Sequence, residues 1–238
     1  MVNIFEELLS ELDGGNVLDV ATGEGSYITI LQRYLHNFQS ITGVDLNRKV
    51  LRTAQDITHI PGIQFIQMNA ELLGFNSGTF DMVNISASLH HLENVSRVLA
   101  EMVRVMKSGG KFILTEMHRD GTSEEQFNAI RIHHWAAAVD SSQGILHDRT
   151  FARQEILEFI RELNLVNLIT RDITNTNTNP QDGKTIAAVR AYIDRYHQRL
   201  VGGSGSRALL EQEAELRASL EEKGFQQEPV LLVIAEKA

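Results

Sequence analysis

Cysteine is absent from the 238 residues, which excludes disulfides, thiolate nucleophiles, iron–sulfur clusters and cysteine zinc sites together. Positive charge is in deficit. Thirty-one acidic against 22 basic residues leave a net charge of −9, and this disfavours nucleic acid as a partner, because backbone affinity comes mostly from Lys and Arg releasing counterions. A long apolar run is also missing. The late stretch Val230–Ala235 is far too short to span a bilayer, and Met1–Ser10 carries Glu6 and Glu7 without the basic flank of a signal peptide. The expectation is a cytoplasmic protein with no membrane partner. With 42% hydrophobic and 22% charged residues, the chain can bury a sizeable core as one domain over residues 1–238.

The first half alternates β-type runs with helical patterns. Strands are expected at Asn16–Val20, Ser40–Val44, Ile63–Gln67, Phe80–Ile85 and Lys111–Thr115, with helices near Ser26–Leu35, Arg48–Ile57 and Val95–Met106. Such alternation predicts a parallel sheet with helices on both faces. Ser108-Gly109-Gly110 reads as a helix stop, since glycine takes a left-handed cap without steric cost.

After Thr115 the pattern changes. Ser123 and Gln126 have the spacing of a capping box that opens a helix running to about Asp140. A helix at Phe151–Leu163, a strand at Asn164–Ile169 and a polar loop at Asn175–Asp182 follow. Helices at Thr185–Leu200 and Arg207–Lys223 come next, joined through Gly202–Ser206, and Val230–Ala235 is a final strand. Residues 117–150 are expected to form a helical lid insertion, and residues 175–224 a second helical insertion before the last strand. The apolar faces of the insert helices leave a homodimer contact open.

Chemistry enters at Val17–Ser26, which leaves a strand and enters a helix through Gly23-Glu24-Gly25. Glycines there let the backbone approach a ligand closely. Asp45 ends the second strand 20 residues after Gly25, where a carboxylate can accept both hydroxyls of a ribose. A dinucleotide fingerprint needs a third glycine, which Ile28 replaces. Asp19 before the loop would repel a pyrophosphate and welcome a cationic ligand.

These residues resemble the class I S-adenosylmethionine-dependent methyltransferases, of the ubiquinone- and menaquinone-biosynthesis-like group. Leu18–Gly25 is similar to the family's first motif and Gly43-Val44-Asp45 to its ribose-binding strand end. Asn69-Ala70-Glu71 stands where the family has an Asp-Ala pair beside the adenine, and Phe80–Ile85 followed by Ser86–Leu92 resembles its fourth motif. The likeness covers Val17–Glu116, about half of the chain. Two positions depart from the pattern: Ala21 for a glycine and Asn69 for an aspartate. The resemblance implies an α/β, Rossmann-like fold with a seven-stranded mixed sheet, helices on both faces and helical insertions. It implies S-adenosylmethionine as cofactor, held by Asp19, Ala21, Gly23, Gly25, Asp45, Leu46, Asn69, Ala70, Glu71 and Ser86.

Methyl transfer from a sulfonium is a direct displacement, in which the enzyme mainly positions acceptor and methyl in a dry pocket. No metal is demanded, and no metal ligand is assigned. The acceptor is expected to be a small molecule. A macromolecular acceptor, RNA or protein, and a cofactor-binding protein without transfer activity stay open as alternatives. Histidines gather in the lid: His118, His133, His134 and His147, with Asp120, Asp140 and Asp148 close in sequence. A His base paired with a carboxylate would serve an acceptor that must lose a proton. His147 with Asp140 or Asp148, and His118 with Glu116, are the candidate catalytic pairs. A divalent metal and ordinary buried hydrogen bonds are the competing uses of the same cluster. Trp135 is expected to pack the lid onto the sheet.

Overall fold

A computed structural model describes residues 4–57, 61–174, 178–202 and 206–238 of the chain. Residues 175–177 of the expected polar loop and 203–205 of the Gly/Ser joint lie outside these. The elements are α1 (Ile4–Ser10), β1 (Asn16–Val20), α2 (Ser26–Tyr34), β2 (Ser40–Asp45), α3 (Arg48–Ile57), β3 (Ile63–Gln67) and β4 (Phe80–Ser86). A 3-10 turn at Leu89–His91 leads to α4 (Val95–Val105) and β5 (Met106–Met117). Then come α5 (Glu124–Ser142), α6 (Arg153–Arg161), β6 (Leu165–Asp172), α7 (Gly183–Gly202), α8 (Arg207–Lys223) and β7 (Val230–Lys237).

The strands form one seven-stranded sheet in the order β3-β2-β1-β4-β5-β7-β6. β1 to β5 pair in parallel, and β7 inserts antiparallel between β5 and β6. The mixed sheet implied by the resemblance is present. β1 and β4 are neighbours although two strands separate them in sequence, so the chain direction across the sheet switches there. Ligands of open α/β sheets bind outside the carboxyl ends of the strands at such a switch.

The period-two alternation of the strands feeds two cores. Leu18, Val20, Val83, Ile85, Phe112 and Leu114 face α4 and α6. Val17, Ile41, Met82, Ile113, Leu232 and Ile234 face the other side, with Tyr27, Ile28 and Leu31 of α2. α4 carries Val95, Val98, Leu99 and Met102 at three- and four-residue spacing, all buried, and Asn94 caps it by accepting the Arg97 N–H at 3.0 Å. A third core lies apart from the sheet. Ile132, Trp135 and Val139 of α5 pack there on Ile186 and Ile193 of α7 and Leu216 and Leu220 of α8.

Several boundaries differ from expectation. α4 ends at Val105, and Met106–Gly110 already belongs to β5, beside a register shift against Phe80–Met82. Gly110 serves this bulge rather than a helix stop. A Cβ there would stand 2.8 Å from the Lys107 carbonyl and 3.0 Å from that of Asp81, so only glycine fits. α6 is shorter than expected, beginning where Glu155 accepts the Ala152 N–H at 2.6 Å. In α5, Ser123 accepts the Gln126 N–H, but Gln126 reaches back to the N–H of Thr122 at 2.8 Å and not to that of Ser123. α1 was not anticipated: its seven residues are too few for a periodic signal.

Candidate active site

The loop leaving β1 is held from both sides. Thr22 donates its backbone N–H to the Val44 carbonyl at 3.0 Å, and Gly25 donates to Thr22 at 2.9 Å. Ala21 and Gly23 both have φ of 54°, and Gly25, the residue before α2, has φ of 81°. Ala21 therefore adopts the left-handed backbone that explains why glycine suits this position. Nothing lies within 4 Å of where a Cβ on Gly23 would stand. That space opens onto a cavity of about 860 Å³ at the carboxyl ends of the strands.

Nine of the ten residues expected to hold the cofactor line this cavity: Asp19, Ala21, Gly23, Asp45, Leu46, Asn69, Ala70, Glu71 and Ser86. Gly25 stands behind it, packed toward Ala54 and Phe65. Asp19 is 1% exposed. Its carboxylate accepts the Thr22 hydroxyl and the Asn84 side-chain amide. Burial pushes its pKa up to about 7, against the lowering effect of those two hydrogen bonds and with a further rise from Asp45. Asp45 accepts the N–H of Gly23 at 2.9 Å and that of Asn47 at 2.8 Å. Asn69 turns its side-chain oxygen to the Glu71 N–H at 2.9 Å, so part of its acceptor capacity is spent on the local turn. Ser86 accepts the Thr115 hydroxyl at 2.7 Å.

Another wall of the cavity carries the apolar Leu92, Val98, Ile145 and Leu146, which were not assigned to the site from sequence, with His91 beside them. Ile145 and Leu146 come from the segment after α5, which no local motif marks as cavity-lining. Burial, with the neighbouring His90 and His147, pushes the His91 pKa down to about 4, so its imidazole is neutral near pH 7.

The candidate catalytic histidines separate. His147 lies against Asp140, as expected, donating from Nδ1 to Oδ2 at 2.7 Å. Asp140 also accepts the Tyr196 hydroxyl at 3.0 Å and pairs with Arg199. His118 is not near Glu116. It faces Asp120 at 3.7 Å and Asp172 at 3.6 Å, at the β6 side of the sheet. β5 ends at Met117, one residue before His118, and Glu116 is taken by other partners. It accepts the N–H groups of Ser88 and Leu89, both at 2.8 Å, and pairs with His90 Nδ1 at 2.9 Å. Neither His118 nor His147 lines the cavity, whereas His91 does.

Behind that wall the rings of His90, His133 and His147 converge. One nitrogen from each lies within 4.8 Å of those of the other two, and the Nε2 atoms of His133 and His147 are 3.1 Å apart. Trp135 is in the third core, fully buried, and donates to the Leu209 carbonyl at 2.9 Å. Among the described residues no helix is long and apolar enough to cross a membrane.

Residues 18–114 match the family described as a methyltransferase domain. Over that segment the chain is similar to a methyltransferase domain. The buried carboxyl of Asp19 with the open space over Gly23 fits a cationic ligand. Over 107 residues, 45% of the chain, it is 39% identical to a phthiotriol/phenolphthiotriol dimycocerosates methyltransferase of Mycobacterium ulcerans, covering 39% of that protein. Over 110 residues it is 33% identical to a ubiquinone/menaquinone biosynthesis C-methyltransferase of Marinomonas, covering 44% of each chain. The matched part thus spans about two fifths of the length of these curated relatives. Among solved structures, an S-adenosylmethionine-dependent methyltransferase from Mesorhizobium loti superimposes with a TM-score of 0.59 at 16% identity, over 98% of this chain and 96% of that one.

Proposed function

We propose that the protein transfers a methyl group from S-adenosylmethionine to a small, largely apolar acceptor. The observation that carries this is the convergence of nine expected cofactor residues on one cavity that Leu92, Val98, Ile145 and Leu146 also line. In this reading Asp45 accepts the ribose hydroxyls, Asp19 faces the cationic part of the cofactor, and Asn69 and Ala70 border the adenine. When bound, the cofactor supplies an electrophilic methyl group on a sulfonium.

The chain's own contribution is position. Gly23 and Ala21 hold the loop in its left-handed turn, and Leu92 with the buried Val98 gives the cavity an apolar lining. Leu46, Ile145 and Leu146 line the cavity while remaining 66%, 49% and 46% exposed. Apolar side chains left open at a cavity mouth suit an acceptor with an apolar body. The named activities of the relatives, on dimycocerosates and on quinone precursors, support the same class. His91 presents a neutral ring to the cavity, and its pKa of about 4 makes it a weak base there, so catalysis rests on positioning.

The test is a melting experiment with S-adenosylhomocysteine, S-adenosylmethionine and NAD in parallel, followed by mass spectrometry of a panel of quinols, phenols and long-chain alcohols. A ligand confined to the native state raises the melting temperature by mass action. The adenosyl compounds should raise it, NAD should not, and a methylated apolar acceptor should appear. If only RNA or protein is methylated, the acceptor class is wrong; if no adenosyl compound binds, the enzymatic reading falls.

A further inference from the structure

Two parts of the chain bring three histidines to one point: His90 comes from the 3-10 turn after β4, and His133 and His147 come from α5 and the segment after it. We propose that His90, His133 and His147 form a binding site for a divalent transition-metal ion of the zinc type, which clasps α5 and the segment after it to the sheet. The proposal deepens the account of the acceptor side but does not rest on methyl transfer, because none of the three rings lines the cofactor cavity.

The geometry carries it. Zinc holds imidazole nitrogens at roughly 2.0–2.1 Å in a tetrahedral array, which puts ligand nitrogens about 3.3 Å apart and ring centres about 5 Å apart. The three ring centres here are 4.9, 5.0 and 5.4 Å apart. The nearest nitrogens, Nε2 of His133 and of His147, are 3.1 Å apart. A modest rotation of His90 would bring its nitrogen from within 4.8 Å to the same spacing.

The surroundings match as well. Metal-bound histidines donate their other ring N–H to a carboxylate, which fixes the tautomer. His147 Nδ1 donates to Asp140 at 2.7 Å and His90 Nδ1 to Glu116 at 2.9 Å, both carboxylates being buried. His133 Nδ1 has Glu228 at 3.9 Å. With Nδ1 of His147 turned to Asp140 and Nδ1 of His90 to Glu116, the Nε2 atoms of both rings are the ones left to meet a cation together with His133. Imidazole donors select zinc-like ions over magnesium or calcium, which demand oxygen.

The alternative arrangement is a single hydrogen bond, in which His133 Nε2–H donates to His147. The two are separated by binding measurements on the full chain. Protein stripped with a chelator is titrated with zinc chloride and, separately, magnesium chloride by calorimetry, and its melting temperature is followed in both. The expected result is one equivalent of zinc per chain, a raised melting temperature and no response to magnesium. His133→Ala and His147→Ala should each lose the zinc-dependent rise, and Asp140→Asn should weaken zinc about 10–100-fold. S-adenosylhomocysteine added to each variant reports whether its sheet domain remains folded. For a histidine variant that fails this check, cobalt binding to the wild type and to His133→Gln replaces it, read by visible ligand-field bands that the variant should lack. Zinc well below one equivalent in wild type, or equal binding by wild type and variants, would overturn the site. Zinc binding that fails while S-adenosylhomocysteine still stabilises sinks only the metal; the reverse sinks only the cofactor.

Discussion

The Asp45 carboxylate, at the end of β2, accepts the backbone N–H of Gly23 from the loop after β1 at 2.9 Å. One side chain therefore ties the glycine loop in place and stands at the cavity where a ribose would lie. Asp45→Ala removes a charged acceptor and releases the loop at once. Hydrogen bonds to charged groups contribute about 1.5–3 kcal/mol, so affinity for S-adenosylhomocysteine should fall roughly 10- to 150-fold by calorimetry. Asp45→Asn keeps an acceptor for Gly23 and should lose less. Unchanged affinity in Asp45→Ala would take this residue out of the site.

Ala21 and Ala87 line the same cavity with φ of 54° and 46°. A Cβ in the left-handed region costs about 1–2 kcal/mol, while glycine pays roughly 0.5–1 kcal/mol more entropy on folding. Ala21→Gly should accordingly stabilise the protein slightly, by up to about 1 kcal/mol in denaturant unfolding. Ala21→Val should destabilise it, since a β-branched side chain is a worse fit at this backbone. A clear loss of stability in Ala21→Gly would mean that the Ala21 methyl makes contacts worth more than the strain.

The sheet and the cofactor side were legible because their signals are local. Period-two strands, the loop from Asp19 to Gly25 and the strand end at Asp45 each announce themselves within a few residues. Ile145 and Leu146 were not, because they reach the cavity only when the segment after α5 folds back over the turn after β4. The pairing of His147 with Asp140 was within reach, since only seven positions separate them. His118 misled because nearness to Glu116 in sequence says nothing of which partner wins. Glu116 instead satisfies two orphan N–H groups of the 3-10 turn and His90. His133 and His147 were already visible as members of one cluster, but the arrival of His90 beside them had no local signal, since more than 40 positions separate it from either.

Trp135 probes whether the third core is energetically separate from the cofactor cavity. Its ring is fully buried among α5, α7 and α8, and its N–H reaches the Leu209 carbonyl. Trp135→Ala should cost about 3–5 kcal/mol. Trp135→Phe keeps most of the packing and loses the indole hydrogen bond to a carbonyl that α8 also satisfies, and should cost roughly 0.5–1.5 kcal/mol. Affinity for S-adenosylhomocysteine, measured below the melting transition, should stay close to wild type in the milder variant. A matching loss of affinity would show that the helical layer and the cavity are coupled.

Asp19 makes cofactor binding pH-dependent in a direction its burial dictates. Its pKa in the free protein is raised to about 7 by burial, from an ordinary 3.8. The native state therefore holds a proton that the unfolded chain has lost between about pH 4 and 7, and native stability falls as pH rises across that window. A bound cation reverses the preference, because it favours the carboxylate and expels the proton. Affinity for S-adenosylmethionine should then rise with pH from about 5.5 to 7, by up to tenfold for each unit. His91, the one histidine lining the cavity among the described residues, is held at about 4 and titrates below this range. Asp19→Asn removes the titrating group and should flatten the profile while binding more weakly at pH 7.5. Calorimetry at several pH values decides it: an equal slope in wild type and Asp19→Asn would assign the proton to another group.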